Sequence, residues 1–190
     1  MIQPISVRIA LVSSSPRRRE ILKMTGFNFR VVKGETEEKL FNTPEETAVK
    51  NAELKVLSAK ELFPGEIALA ADTIVVSENR ILGKPKDKEE AVDFLKRLSG
   101  TWHRVLTGFA LRLPGGKLIS AFEESRVKFK RLTLEEIRWY ISTGEPLDKA
   151  GAYGIQGYGA LFIERIEGDF FNVMGLPIGR IYDILKLEFE

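Results

Sequence analysis

The chain of 190 residues has no cysteine. Disulfides, thiolate nucleophiles and cysteine-ligated metals are thereby excluded. It has a single histidine, His103, which excludes a zinc site built from several histidines. A metal here has to be a hard ion held by carboxylates and substrate oxygens. No apolar run is long enough to span a bilayer. The N-terminal stretch is interrupted by Arg8 and lacks the layout of a signal peptide. The reading is a cytoplasmic protein with no membrane partner. Neither sign of charge dominates: 29 Lys and Arg against 27 Asp and Glu leave a net charge of +2. That is too little to argue for nucleic acid as a partner, and any basic surface must be local. The G-x-x-x-x-G-K-[ST] spacing of a Walker loop and the G-x-S-x-G elbow of a serine hydrolase are both absent. So are internal repeats, low-complexity segments and linkers. The length suits one domain, or one domain with a smaller lobe.

What is present is organised around Ser13-Ser14-Ser15-Pro16-Arg17-Arg18-Arg19. The apolar run Arg8 to Val12 before it reads as a buried strand. Ile21, Leu22 and Met24 after it recur at helical spacing. Ser15 has the chemistry of a helix cap, and Pro16 fits the first helical position. Three arginines then fall in the first turn, where the helix already carries partial positive charge. That placement is unfavourable unless an anion sits among them. Free N–H groups, hydroxyls and guanidinium forks at a strand-to-helix turn make a phosphate site; otherwise this is a basic, solvated helix end.

Further along, Phe27 to Val32 reads as a second strand, and Lys33 to Glu38 as a charged loop. Thr43-Pro44-Glu45-Glu46 forms a capping box. The helix it opens carries Val49, Ala52, Val56, Ala59 and Phe63 on one stripe and runs to Pro64-Gly65. Lys55, at the edge of that stripe, either snorkels to solvent or reaches into a neighbouring cleft. Ile67 to Ala71 is the most apolar strand, with Asp72-Thr73 inserted before Ile74 to Val76. A carboxylate there is disfavoured by propensity and desolvation, which places it at a strand end or facing a cleft. A capping box from Asp87 to Glu90 opens a further helix. Strands at about 101–113 and 117–130 are joined by Pro114-Gly115-Gly116 as a hairpin. Thr133 to Glu136 caps another helix. From Glu145 to Gly159 the periodicity disappears into a loop with four glycines. A strand at 161–166 and a helix from Pro177 to Leu187 complete the chain. The pattern predicts a mixed α/β sheet with helices on both sides.

The unusual polar residues fall at strand ends and turns, where α/β sheets carry ligand sites. They are Arg17 and Arg18, Asp72 and Thr73, Lys84, and Gln156 between two glycines. Cations with one or two carboxylates suit a polyphosphate and a divalent metal. Taken singly, Asp72 also fits a satisfied buried carboxylate and Lys84 a solvated turn residue. His103, in a β-pattern, fits a structural hydrogen-bonding role better than catalysis.

Six ordered motifs carry a resemblance that spans Leu11 to Pro177. They are Ser13 to Arg18, Ala71-Asp72-Thr73-Ile74-Val75, Gly83-Lys84-Pro85, His103 to Gly108, Glu145 to Gln156-Gly157, and Gly175-Leu176-Pro177. Together they resemble the Maf family of nucleotide pyrophosphatases. The resemblance implies a single domain over 1–190, with a mixed twisted sheet, flanking helices and two lobes around a cleft, as in the inosine triphosphate pyrophosphatases. It implies hydrolysis of nucleoside triphosphates to monophosphate and pyrophosphate with a divalent cation, Mg²⁺ or Mn²⁺. By motif, Asp72 matches the proton acceptor and, with Glu38, the metal-holding carboxylates. Ser13, Ser15, Arg17, Arg18, Lys55, Thr73, Lys84 and Gln156 match positions that bind or select the substrate, Lys84 as a phosphate-binding lysine. Val12 and Val56 stand where alanine is usual in the family. The run Asp148 to Gly157 is similar to the branch acting on dTTP and UTP. In agreement, a glutamine amide matches the N3–H donor and O4 acceptor of uracil and thymine. The family also points to a homodimer. Two other readings use the same residues: a pyrophosphatase for modified nucleotides, and a nucleotide sensor that regulates a partner such as the division machinery.

Overall fold

Strand β1 (Arg8–Val12) is buried along four of its five residues. An apolar run of this kind belongs inside a parallel sheet covered on both faces. β2 (Asn28–Val32) and β3 (Glu66–Ser77) flank β1, and both run parallel to it, with Ile9 opposite Phe29 on one side and Ile67 on the other. The computed structural model describes residues 6–34 and 36–189; Glu35, in the charged loop, lies outside them. The seven strands form a mixed sheet in the order β2-β1-β3-β5-β6-β7, with β4 on β3, where β4 is Arg80–Leu82, β5 Trp102–Arg112, β6 Leu118–Phe129 and β7 Ile163–Glu167. The expected mixed α/β sheet with flanking helices is the one observed.

The chain divides into two compact units. The first comprises Met1–Asp72, Thr107–Glu123 and Gly175–Glu190, and the second Thr73–Leu106 and Glu124–Met174. In the first, α1 (Pro16–Met24) connects β1 to β2. Helix α2 (Pro44–Leu57) packs over a core of small residues: Val12, Ala52, Val56, Ala68, Ala70 and Ala110. Small side chains let helix and sheet approach closely, and Gly108 takes this furthest. A Cβ there would lie 2.2 Å from the Ala48 carbonyl, so any other residue would push α2 outward.

Helix α2 begins as its signals predict but stops early. The Thr43 hydroxyl accepts from the Glu46 N–H, while the Glu46 carboxylate accepts from Asn42 Nδ2. The capping box is therefore half formed. The helix ends at Leu57, not near Pro64. There the Ser58 hydroxyl donates to the Lys55 carbonyl at 2.8 Å and satisfies an end the helix leaves open. Phe63, expected on the buried stripe, is exposed and lies under the Arg30 guanidinium. The buried face carries Thr47, Ala48, Asn51, Ala52 and Val56. The closing helix α6 (Ile178–Phe189) belongs to this unit and buries Ile178, Ile181 and Leu185.

The second unit packs α3 (Lys88–Leu98) and α4 (Leu134–Ser142) around Phe94, Leu95, Leu98, Phe129, Tyr140 and Phe162. Asp87 caps α3, and Thr133 with Glu136 forms the complete capping box on α4. β4 returns antiparallel on β3 through Glu78 and Asn79, both at positive φ, and β7 pairs antiparallel with β6. The glycine-rich stretch expected as a loop contains three short 3-10 helices: Glu145–Asp148, Ala150–Ala152 and Gly157–Phe162. A five-residue helix, α5 (Phe170–Met174), precedes the return to the first unit.

Candidate active site

In the first unit, Ser15 occupies the cap position of α1, but its side chain makes no capping hydrogen bond. The serine two residues earlier turns back on the cap residue and on the first helical turn. Ser13 Oγ accepts from the Ser15 N–H at 3.1 Å and from Arg18 Nη1 at 3.3 Å. Arg18 Nε donates to the Gly175 carbonyl at 2.8 Å. The guanidinium is thus oriented by two separate segments, the serine turn and the Gly-Leu-Pro turn. The first turn contains no acidic residue to balance its three arginines. Desolvation pushes Arg18 below its ordinary range, and the like charge of Arg17 acts in the same direction. The carboxylates of Asp72 and Glu38 act against this. Arg18 therefore lies within the field of both carboxylates, which belong to the same unit.

Those carboxylates are gathered by one face of α2. Thr47, Asn51 and Lys55 recur every fourth residue and so stand one above another. Thr47 Oγ1 accepts from the Phe41 N–H at 3.0 Å. Asn51 Oδ1 accepts from the Lys39 N–H at 2.9 Å, and its Nδ2 donates to the Lys39 carbonyl at 3.0 Å and to Asp72 Oδ2 at 3.3 Å. Lys55 Nζ donates to Asp72 Oδ1 at 2.5 Å and to Glu38 Oε1 at 2.9 Å. Of the two courses open to Lys55, the side chain takes the inward one. Asp72 is not at a strand end: it lies within the 12-residue β3 and is 4% exposed. The cost of a carboxylate there is offset by donors on both of its oxygens. The cation bonded to it is Lys55. Thr47 and Asn51 were not singled out from the sequence. A search for apolar periodicity passes over them, although polar residues four apart and in line with Lys55 were the available signal.

Ser13, Ser15, Arg17, Arg18, Glu38, Lys55 and Asp72 all belong to the first unit, whereas Thr73, Lys84 and Gln156 belong to the second. Thr73 is half-buried on β3, and Lys84 is exposed beyond β4. Gln156 is half-buried and stands at the residue before the 3-10 helix Gly157–Phe162, without a side-chain capping bond to it. The backbone around it is held by Glu145, a third residue not singled out. Its carboxylate accepts from Tyr140 Oη at 2.8 Å, the Tyr158 N–H at 2.9 Å and the Gly159 N–H at 3.1 Å. Gly157 has φ +72°, and a Cβ there would stand 2.5 Å from a Glu145 oxygen. Both facts call for glycine next to Gln156. His103 sits in the core of the second unit, with Nε2 2.8 Å from Tyr153 Oη and its ring edge-on to Phe129 and Tyr153.

Among the described residues, no three His, Asp or Glu side chains form a group that could enclose a metal. Glu38 and Asp72 nevertheless converge on one cationic point, Lys55 Nζ. Two convergent carboxylates fit a small hard cation that takes its remaining oxygens from water and phosphates.

An arginine-rich helix start and a lysine-bridged pair of carboxylates, one on a strand and one on a loop, mark this mixed α/β protein. The chain belongs to the Maf-like protein family, whose model matches residues 8–188. A dTTP/UTP pyrophosphatase of Thermoanaerobacter sp. (strain X514) is 49% identical over 189 residues, covering 97% of this chain and 98% of the relative. One from Aquifex aeolicus is 45% identical over 181 residues, covering 95% of each. Among solved structures, a HAM1 protein from Coxiella burnetii covers 95% of this chain and 99% of its own, at 15% identity and a TM-score of 0.57. That likeness is one of fold. No helix of the described residues is long and apolar enough to cross a membrane.

Proposed function

We propose that the protein hydrolyses nucleoside triphosphates to the monophosphate and pyrophosphate, with dTTP and UTP as preferred substrates. The carrying observation is the gathering of Asp72 and Glu38 by Lys55, within the field of Arg18. It occurs in a chain 45–49% identical to relatives curated as dTTP/UTP pyrophosphatases. A binding site alone has no need of two carboxylates near phosphates, where they repel the ligand.

In this reading, the triphosphate lies at the start of α1, where backbone N–H groups, Ser13, Ser15, Arg17 and Arg18 face its charge. Asp72 accepts a proton from water. The water oxygen bonds to the α-phosphorus as the bond from that phosphorus to the bridging oxygen breaks. Pyrophosphate leaves with that oxygen, and the arginines balance the charge it gains. Glu38 and Asp72 would hold the divalent cation, Mg²⁺ or Mn²⁺, which supplies Lewis acidity and lowers the pKa of bound water. Lys55 keeps the two carboxylates together and offers its ammonium to phosphate. The family resemblance assigns phosphate binding to Lys84 and base selection to Thr73 and Gln156, the Gln156 amide being the group that matches a pyrimidine edge. Glu145 holds the backbone that follows Gln156.

The test is a panel of nucleotides with Mg²⁺ or Mn²⁺, assayed separately for pyrophosphate and orthophosphate. The expected result is pyrophosphate and monophosphate from dTTP and UTP. Orthophosphate with a nucleoside diphosphate would sink the assignment. Tight dTTP binding with no turnover in any divalent metal would point to a sensor.

A further inference from the structure

We infer that Asn51 is a positioning residue for the hydrolysis, whose amide locks Asp72 and the loop bearing Glu38 into one geometry. The inference rests on the assignment of Asp72 as proton acceptor. An asparagine inside a helix is disfavoured, because its side chain competes for backbone partners. One that is 3% exposed also loses its hydration. For packing α2 against the sheet, an alanine such as the neighbouring Ala48 or Ala52 would serve. What the amide adds is a set of directed bonds.

Its orientation is determined by its partners. The Lys39 N–H requires an acceptor, so Oδ1 must face it. The amino group then points the other way, and its two hydrogens have two acceptors, the Lys39 carbonyl and Asp72 Oδ2. The reciprocal pair with Lys39 ties down the backbone one residue after Glu38. The third bond holds Asp72 Oδ2 while Lys55 holds Oδ1. One side chain thus sets the rotation of the proton acceptor and the position of the second carboxylate. A displacement of about 1 Å in such a group costs on the order of 100-fold in rate.

Asn51→Asp separates this role from packing. It keeps the shape and an acceptor for the Lys39 N–H, but cannot donate to Asp72. The experiment measures kcat, KM for dTTP and thermal melting for Asn51→Asp, Asn51→Ala and Asp72→Asn, and for each Asn51 change combined with Asp72→Asn. The expected result for Asn51→Asp is a cooperative melt, KM within about threefold of the parent and kcat lower by about 10–100-fold. On the Asp72→Asn background, the same change should lower kcat by less than about twofold, because groups acting as a unit are non-additive. A parental kcat for Asn51→Asp overturns the inference. So does an undiminished effect on the Asp72→Asn background, or failure of both Asn51 variants to fold, which would leave Asn51 a purely structural residue. A near-parental kcat for Asp72→Asn alone is a different failure, that of the proton-acceptor assignment.

Discussion

Lys55 Nζ lies 2.5 Å from Asp72 Oδ1 and 2.9 Å from Glu38 Oε1, so one ammonium serves a carboxylate on a strand and another on a loop. The Asp72 end of this bridge is the buried one. Removing one partner of a buried pair leaves the other charge uncompensated, which costs more than the pair contributes. Lys55→Met should therefore destabilise the protein by about 3 kcal/mol. Adding Asp72→Asn should recover much of that loss, since the stranded charge is gone. Urea unfolding of the parent, both single variants and the double variant measures the coupling. Parental stability for Lys55→Met would mean that other groups, Arg18 foremost, compensate Asp72.

Asp72→Asn tests the chemistry rather than the bridge. Asparagine is nearly isosteric, but it is a poor base and a weaker ligand. The variant should melt cooperatively and still bind dTTP, while kcat falls by roughly 10²–10⁴-fold, the range for losing a positioned general base. Binding is followed with the nucleotide in the absence of turnover. A near-parental kcat would remove Asp72 from the mechanism, and a variant that fails to fold would make it a structural carboxylate.

The features legible in the sequence were those with local signals. Helix starts at Pro44, Lys88 and Leu134 follow from the cap residues before them, the start at Pro16 from the proline at the first helical position, and the glycine turn at 114–116 separates β5 from β6. Asp72 was visible because it breaks an apolar run. The rest depended on partners distant in the chain. The apolar period of α2 continues through Ala59 and Phe63, and the end of the helix is marked instead by hydrogen bonds at Ser58, among them the one from its hydroxyl to the Lys55 carbonyl. Ser15 has the identity and the position of a capping residue, but its side chain makes no capping hydrogen bond. Helix α5 is too short for periodicity. Its one signal is Asp169, whose carboxylate accepts from the Phe171 N–H. Asn51 needed Lys39 and Asp72 in view together.

Gln156→Ala tests base selection. If the amide reads the pyrimidine edge, its loss leaves buried groups of the base unpaired, at a cost of about 1–3 kcal/mol. The ratio of kcat/KM for dTTP and UTP over that for other nucleotides should fall by roughly 5–150-fold, the same energy expressed as a rate ratio. The melting temperature should stay near that of the parent, because Glu145 holds the surrounding backbone. An unchanged substrate ranking would mean that the base is read elsewhere.

His103 gives the second unit a dependence on pH that its chemistry does not require. The ring is 3% exposed, Nε2 is paired with Tyr153, and Nδ1 has no hydrogen-bond partner among the described residues. Burial pushes its pKa from the ordinary 6.5 down to about 3. The unfolded chain therefore takes up a proton near pH 6.5 that the folded protein refuses until about pH 3. Above pH 6.5 both states are neutral at this site and it adds no pH dependence. As pH falls from there, the unfolded state binds more protons and stability is lost, at up to about 1.4 kcal/mol per pH unit. Glutamine at this position cannot titrate but can still pair with the Tyr153 hydroxyl. His103→Gln should lose less stability than the parent between pH 6.5 and 4.5. The difference should grow steadily in the variant's favour to about 2–3 kcal/mol at the acid end. Carboxylates that titrate in the same range are common to both proteins and cancel in the comparison. Urea unfolding of the two proteins at several pH values reads the divergence directly. Parallel curves would show that the folded protein protonates His103 as readily as the unfolded chain does, and that the core opens enough to hydrate it.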